Sequence, residues 1–365
     1  PMLYNVGIII GTVWFTGGVN LFGWQIFDGG IMGVALGVVL GSFLQLIVSA
    51  VGLAGLGFDY NFKIYWRNKG FRKVLSLLPA RSVDQGMDYV VSLVEVNLAS
   101  RLADGTVRAY QQALTLHMMP INLIGVAISN AAFPQLTEHL GEGRNDLFQK
   151  DLRSLLRIIF WMALPVSVVI FFTRGYVVHF IRNGGNQLIA GILGCLVVAI
   201  LFRTIYHMAA RAFYARQDTK TPLYISIFSI TLNIILAIVL SMVLKMGAYG
   251  LAWAQSTVAV LEVVVLLAVM NRQMPKLFDM TFVRAIFKMI IAGTVTGVVC
   301  YIAVLIMPFR YHDDSFFSAF PKFVIISLVS FGAYAAASKW LKLPEIDPIL
   351  ARLKKVLFGR LEFKG

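Results

Sequence analysis

The sequence has few charged residues and almost no cysteine. Only 14% of its 365 residues are charged, whereas 58% are hydrophobic, and the mean hydropathy is +0.77. Residues 31–55 and 223–244 contain no Asp, Glu, Lys or Arg, and each could span the hydrocarbon core of a bilayer. This shortage of charge excludes an ordinary soluble enzyme and indicates an all-α polytopic membrane protein.

The cysteines and the membrane-facing loops give no sign of catalytic or metal chemistry. Cys195 and Cys300 lie inside separate apolar segments without disulfide or metal-site spacing, and we interpret them as small core residues. No membrane-facing loop of the sequence carries a nucleophile constellation or a phosphate-binding glycine motif. We therefore predict that the chain is not an enzyme and uses no cofactor or metal.

Hydropathy predicts about ten transmembrane helices. Of the 32 Lys and Arg residues, 24 fall on the side of the 56–81 link, five fall on the opposite side, and three lie near or within spans. This asymmetry argues against nucleic-acid binding and predicts that the 56–81 link and the C-terminal tail are cytoplasmic. The predicted spans are residues 2–22, 31–55, 82–103, 107–133, 158–173, 187–209, 223–244, 248–270, 285–307 and 321–341.

Two stretches on the predicted cytoplasmic side are amphipathic. Residues 135–157 and 347–358 mix Leu and Phe with Lys and Arg at helical spacing. We expect both to lie on the anionic inner leaflet, although a partner-binding helix would show the same pattern.

A weak internal repeat predicts how the helices are grouped. Gly30 and Gly33 recur in the second half as Gly247 and Gly250, within longer matching segments. Parallel repeats of this kind build many transporters, although chance similarity between Gly/Ala-rich helices would look the same. If the repeat is real, residues 82–270 are a six-helix unit and the first unit shows only its last two helices. We then expect four further helices to precede this chain, and no transport without them.

The most polar part of the membrane-spanning region is residues 88–136. Asp88 and Glu95 fall on one face of its first predicted helix, and Gln111 and Thr115 lie on a stripe of its second. Charges within a bilayer are costly and normally face a protein interior or a wet cavity. Two facing stripes favour a cavity, and a polar network that only packs the bundle is the alternative.

Several short motifs are more specific than composition. The sequence Arg-Ala-Phe-Tyr-Ala-Arg-Gln-Asp-Thr-Lys-Thr-Pro occupies residues 211–222, and Glu95 is followed by Ala99-Ser100. Phe133-Pro134 closes the next predicted helix. Together these motifs resemble the MurJ (MviN) lipid II flippases of the MOP exporter superfamily. Residues 211–222 are a near-complete match to that family's link between its tenth and eleventh helices.

The resemblance implies a partial MOP-type two-lobe flippase fold without the first four helices. In that fold two six-helix lobes surround a central cavity, and two further helices line a groove for a lipid tail. The implied domains are two helices of the N-terminal lobe (1–55), a basic cytoplasmic linker (56–81), the C-terminal lobe (82–270), the groove helices (285–341) and a basic cytoplasmic tail (342–365).

The resemblance also implies an activity, which is movement of lipid II, the undecaprenyl-pyrophosphate-linked peptidoglycan precursor, across the bacterial cytoplasmic membrane by alternating access. Such a substrate needs a wet, basic cavity for its head group and an apolar groove for its tail. The implied partners are lipid II, membrane lipids and cell-wall synthesis proteins. The implied cavity residues are Asp88, Glu95, Arg101, Gln111, Thr115, His117 and Asn122, and the candidates for ion coupling are Asn233 and Glu262.

One cavity position departs from the family pattern. The family has an arginine in its eighth helix, five residues before a proline, where this chain has Thr115 and then Pro120. Arg101 and His117 are candidate substitutes for that cation. The lost arginine keeps open a non-transporting scaffold for wall-synthesis proteins. A separate alternative is another MOP-type flippase of polysaccharide lipids. The 211–222 match argues against the latter.

Overall fold

The protein is almost entirely helical, which confirms the predicted all-α class. Its computed structural model describes residues 2–17, 19–21, 24–27, 29–53, 66–181, 186–275, 277–309 and 316–347. Those ranges contain eleven α-helices: α1 (Met2–Ile10), α2 (Ile31–Leu53), α3 (Lys69–Ser100), α4 (Thr106–Pro120), α5 (Ala127–Gly141), α6 (Asn145–Ile181), α7 (Gln187–Ala215), α8 (Lys220–Ile238), α9 (Ala248–Gln273), α10 (Met280–Ile306) and α11 (Phe316–Trp340). Three π-helical segments continue α1, α4 and α8: Gly11–Phe15, Ile121–Val126 and Val239–Val243.

Ten helical stretches of the described residues correspond to the ten predicted spans, although the first helix ends at Phe15 and Val19–Leu21, within the predicted span 2–22, form a strand. Eight are long and apolar enough to cross a membrane, and shorter apolar helices occupy Met2–Phe15 and Tyr89–Ser100. The chain is therefore a multi-pass membrane protein. Some spans are longer than predicted: α3 begins at Lys69, inside the 56–81 link, and α4, its π-helical segment and α5 form one helix that ends at Gly141.

The prediction that residues 135–157 lie on the inner leaflet is wrong. The first part of this stretch ends α5 and, after a turn, the second part begins α6. Phe148, Leu152 and Leu156 are buried in a core cluster with α7 and α9, so protein covers the apolar face. Residues 348–358 of the second amphipathic stretch lie outside the described residues.

The chain divides into two compact units, Pro1–Arg72 and Lys73–Gly365. In the first unit α1 and α2 pack backbone to backbone through glycines. A Cβ atom added to Gly37 of α2 would lie 2.6 Å from the Cα atom of Gly11. Only glycine permits so close an approach. Between the two helices in sequence, Val19–Leu21 (β1) and Trp24–Phe27 (β2) form a short antiparallel hairpin.

The predicted repeat has a structural counterpart within each unit. Gly30, before α2, and Gly247, before α9, have φ angles of +77° and +58°, which glycine adopts readily. Three residues further on, Gly33 and Gly250 each lie against the backbone of the π-helical segment that precedes them. A π-helical segment, a glycine with positive φ and a glycine that contacts the π-helical segment therefore recur at the two positions that the repeat pairs, although in the first unit a hairpin is inserted after the π-helical segment.

In the second unit, α7 is the central helix. It packs against α4, α5, α6 and α9. Small side chains make this possible, since Ala199, Ala209 and Ala212 have no exposed surface. One core cluster lies around the end of α7 that the charge pattern predicts to be cytoplasmic, and another lies around the opposite end. Thr204, a polar side chain in the middle of α7, is therefore fully buried among other helices.

Candidate functional site

A buried carboxylate, Glu95 of α3, is held by two neutral hydrogen-bond donors. Its exposed fraction is 2%. The Tyr110 hydroxyl of α4 donates to Glu95 Oε2 at 3.0 Å, and Gln255 Nε2 of α9 donates to Glu95 Oε1 at 2.8 Å. Each carboxylate oxygen thus has a partner, which reduces the cost of burying it. The three side chains tie α3, α4 and α9 together.

A second buried carboxylate, Glu262 of α9, forms an ion pair with α7. Arg203 Nη1 donates to Glu262 Oε2 at 3.0 Å. Glu262 lies two turns along α9 from Gln255, so both side chains project from the same face. Arg203 also interacts electrostatically with Glu95 and with His117 of α4. The interior network consists of Glu95, Tyr110, His117, Arg203, Gln255 and Glu262.

The structure separates the predicted cavity residues into two groups. Glu95 and His117 are buried in the interior network. Gln111, Thr115 and Asn122 lie instead on the exposed side of α4 and its π-helical continuation. The exposed group is left uncovered by the rest of its own unit.

Other residues of the predicted stripes lie apart from both groups. Arg101 is exposed in the turn that follows α3. The side chain of Asp88 lies outside the described part of the chain. Ser129, the last member of the second stripe, is fully buried and donates to the Gly125 carbonyl oxygen at 2.6 Å. The exposed polar stripe therefore ends before Ser129.

The two residues predicted to couple ion movement have different environments. Glu262 pairs with Arg203. Asn233 of α8 is 2% exposed, and its side-chain amide has no hydrogen-bond partner among the described residues. No group of three or more His, Cys, Asp or Glu side chains that could hold a metal ion occurs in the part of the chain that the structure describes. Ion coupling at Asn233 and Glu262 stays a prediction.

Sequence reasoning missed Tyr110, Arg203 and Gln255 as members of the network. Arg203 carried a usable signal, because a lone arginine and a lone glutamate in two otherwise apolar spans are expected to pair. Tyr110 and Gln255 carried no such signal, because helical periodicity does not say which helices are neighbours.

The helix that carries His117 changes its geometry shortly after that residue. Pro120 has no backbone N–H, and the π-helical segment Ile121–Val126 follows it directly. A Cβ atom added to Gly125 would lie 2.9 Å from the Thr204 carbonyl oxygen. Glycine thus lets this segment contact α7 next to Arg203.

Two apolar cavities adjoin along α10. The first, of about 440 Å³, lies between α9 and α10, and the second, of about 460 Å³, lies between α6 and α10. Ile290 lines both, so we treat them as one groove, the α10 groove. Its lining residues are Leu164, Val168, Phe172, Leu267, Ala268, Asn271, Phe278, Phe282, Val283, Ile286, Phe287, Ile290, Gly293, Thr294, Gly297, Val298 and Tyr301.

The 211–222 link is ordered by Asp218. Its Oδ2 accepts a hydrogen bond from the Thr221 hydroxyl at 2.6 Å, and its Oδ1 accepts one from the Thr221 N–H at 3.0 Å. Burial by itself would raise the pKa of Asp218, but hydrogen bonds from Thr221 and Gln273 outweigh it and lower that pKa. Arg216 Nη1 donates to Gln273 Oε1 at 2.6 Å. The link thus joins the ends of α7 and α9 to the start of α8.

Comparisons with known proteins point to one family. The family model described as "Lipid II flippase MurJ" matches residues 1–320. A probable lipid II flippase MurJ of Borreliella burgdorferi is 26% identical over 262 residues, which cover 70% of this chain and 49% of that protein. One of Thermotoga maritima is 25% identical over 358 residues, which cover 96% of this chain and 66% of that protein.

A solved structure has a similar fold. It is described as "Lipid II flippase MurJ, inward closed conformation" and is 23% identical, with a TM-score of 0.66. The similarity covers 92% of this chain and 65% of that one. This chain therefore spans about half to two thirds of the length of the relatives it matches.

Proposed function

This chain belongs to the lipid II flippase MurJ family, and we propose that it moves lipid II, the undecaprenyl-pyrophosphate-linked peptidoglycan precursor, across the bacterial cytoplasmic membrane. The observation that carries the proposal is the family match over residues 1–320. The family consists of flippases, which agrees with the prediction that the chain is a transporter and not an enzyme. Alternating access would let the polar head group cross without a continuous pore.

The exposed side of α4 supports a path for the head group. Gln111, Thr115 and Asn122 lie on a helix long enough to span the membrane, and they are not covered by their own unit. Polar side chains in a membrane protein normally face a protein interior or a water-filled cavity. We propose that this side of α4 lines the head-group cavity, within a six-helix lobe formed by residues 82–270.

The α10 groove supports binding of the polyprenyl tail. Its lining is mainly apolar, with large side chains such as Phe282 and Phe287 beside the small residues Gly293 and Gly297. Lipid tails are as apolar as such a groove, so shape and packing decide what it binds. The lining extends along α10 from Phe282 to Tyr301, which suits a long, slender chain. We propose that α10, the first of the two predicted groove helices in 285–341, supplies one wall of the tail site, whereas the lining residues found in the described part of the chain include none from α11.

Replacement of a resident flippase tests this function. Bacterial cells are depleted of their own MurJ, and the gene is expressed from its complete reading frame. We expect growth to be restored and newly made lipid II to become accessible to a lipid II-cleaving enzyme added outside the cells. Cells with the empty vector are the control. A protein that inserts into the membrane at normal levels but leaves lipid II inaccessible would contradict the proposal.

A further inference from the structure

One side of α6 holds the ends of the two helices that follow the six-helix region. Arg153, Arg157 and Trp161 occur at four-residue spacing, so they project from the same side of α6. We call these three residues the α6 clasp. Their partners lie at the start of α10, near the end of α11 and in the short 3₁₀ helix Pro344–Ile346.

Arg153 holds the first turn of α10. Its Nη1 donates to Asp279 Oδ2 at 2.7 Å, while Asp279 Oδ1 accepts the Phe282 N–H at 2.9 Å and so caps α10. Hydrogen bonds from the Thr281 hydroxyl and the Phe282 N–H lower the pKa of Asp279, which keeps the carboxylate charged at neutral pH. Phe278 and Phe282, on either side of Asp279, line the first cavity of the groove. By holding Asp279, Arg153 therefore fixes the position of two aromatic side chains that line the groove.

Arg157 and Trp161 hold the end of α11 and the segment after it. Arg157 Nη2 donates to Glu345 Oε1 at 2.5 Å, and these side chains are only 18% and 5% exposed. Trp161 Nε1 donates to Ser338 Oγ at 3.0 Å. From α10, Lys288 Nζ donates to a backbone carbonyl of the same segment at 2.9 Å. A pair buried to this degree is costly to break, because the remaining partner keeps an uncompensated charge.

The clasp side of α6 continues directly into the groove. Beyond Trp161, Leu164, Val168 and Phe172 follow at the same helical spacing, and all three line the second cavity. One helix thus forms a wall of the groove and also holds the start of α10, which lines the groove from the other side. A shift of α10 at the clasp would change the width of the groove, and α11 can transmit such a shift because it packs against α10.

We propose that the α6 clasp sets the width of the α10 groove at its predicted cytoplasmic end and thereby positions the polyprenyl tail of the substrate. The inference rests on the proposed function, in which this groove takes the tail. Arg153 and Arg157 act through Asp279 and Glu345, so they are positioning residues. Loss of a clasp contact should weaken binding of a long tail and spare a short prenyl chain, which does not fill the groove.

Two prenyl diphosphates that differ only in tail length test the clasp. The probes are undecaprenyl diphosphate and farnesyl diphosphate, titrated against the full chain in lipid nanodiscs. For Arg157→Gln we expect the Kd of the undecaprenyl probe to rise about tenfold, and that of the farnesyl probe to change by less than about twofold. Combining Arg157→Glu with Glu345→Arg restores the ion pair with reversed polarity and should recover most of the lost affinity.

The matched control is Lys150→Gln, which removes one positive charge from an exposed side chain of the same helix. If Arg157→Gln weakens binding of both probes equally, or weakens neither, the proposed role of the clasp is wrong. The proposed function is unaffected by that result. A parent protein that does not prefer the undecaprenyl probe would instead refute tail binding in the groove, and the clasp with it. If Arg157→Gln does not fold, Arg153→Gln breaks the more exposed pair and allows the same comparison.

Discussion

At the scale of single residues, the interior network shows how this protein places charge among membrane helices. Glu95 accepts hydrogen bonds from two other helices, and Glu262 pairs with Arg203 of a third. Each carboxylate is therefore compensated by a side chain that is distant in sequence. Under the proposal that the exposed side of α4 lines a wet cavity, polar groups there are solvated by water and need no such partner. The two sides of α4 should respond differently to an added charge.

Arginine substitutions on the two sides of α4 test this difference. Thr115 is exposed, so Thr115→Arg should change the free energy of unfolding by less than about 0.5 kcal/mol. His117 is 4% exposed, so His117→Arg would bury a second cation near Arg203 and should cost roughly 3 kcal/mol or more. Thermal unfolding in detergent measures both. Equal destabilisation would mean that the Thr115 side is packed rather than wet.

At the scale of elements, glycines decide how closely helices approach. In the first unit, α1 and α2 meet through Gly7, Gly11, Gly37 and Gly41, where an added Cβ atom would collide with backbone rather than with a movable side chain. In the second unit, Gly125 of the π-helical segment that follows α4 allows a similarly close approach to the backbone of α7. Backbone cannot rotate aside as a side chain can, so such positions tolerate no larger residue without helix displacement.

Alanine substitutions at two glycines of α2 should have opposite signs. Gly37→Ala places a Cβ atom 2.6 Å from the backbone of α1 and should lower the free energy of unfolding by about 1–3 kcal/mol. Gly52→Ala places it in open space, and it should raise stability by up to about 1 kcal/mol because alanine favours a helix over glycine. Thermal unfolding of the purified chain gives the comparison. A neutral Gly37→Ala would show that α1 and α2 do not pack this closely.

At the scale of the whole molecule, the orientation in the membrane follows from the distribution of Lys and Arg. The 24-to-five asymmetry predicts that the 56–81 link is cytoplasmic and that the turn between α3 and α4 faces outward. The prediction also assigns each helix end to a side, because successive spans of a multi-pass chain alternate in direction. The α6 clasp and the 211–222 link fall on the predicted cytoplasmic side.

Cysteine labelling in intact cells tests this orientation. Asn68 and Asp104 are exposed and lie on opposite predicted sides. In a background with Cys195→Ser and Cys300→Ser, an impermeant maleimide should label Asp104→Cys, whereas it should label Asn68→Cys only after the cells are opened. Labelling of Asn68→Cys alone in intact cells would reverse the assignment.

The sequence alone determined the class of the protein, its ten spans and its family. Those features are local, because hydropathy needs only one window of residues and a motif such as 211–222 needs only one segment. The burial of Glu95 in a polar setting was also predictable, since a carboxylate within a span must face protein or water. Asp88, for which the same reasoning held, has a side chain outside the described residues.

Only the tertiary structure decided which helices are neighbours. Several contacts join segments that are far apart in sequence, and helical periodicity does not encode such pairs. They are Glu95 with Gln255, Arg203 with Glu262, and the α6 clasp with Asp279 and Glu345. Residues 135–157 show the same limit. The spacing of apolar residues along an amphipathic helix is the same whether lipid or protein covers that face. In this protein the apolar face packs against α7 and α9, so protein covers it.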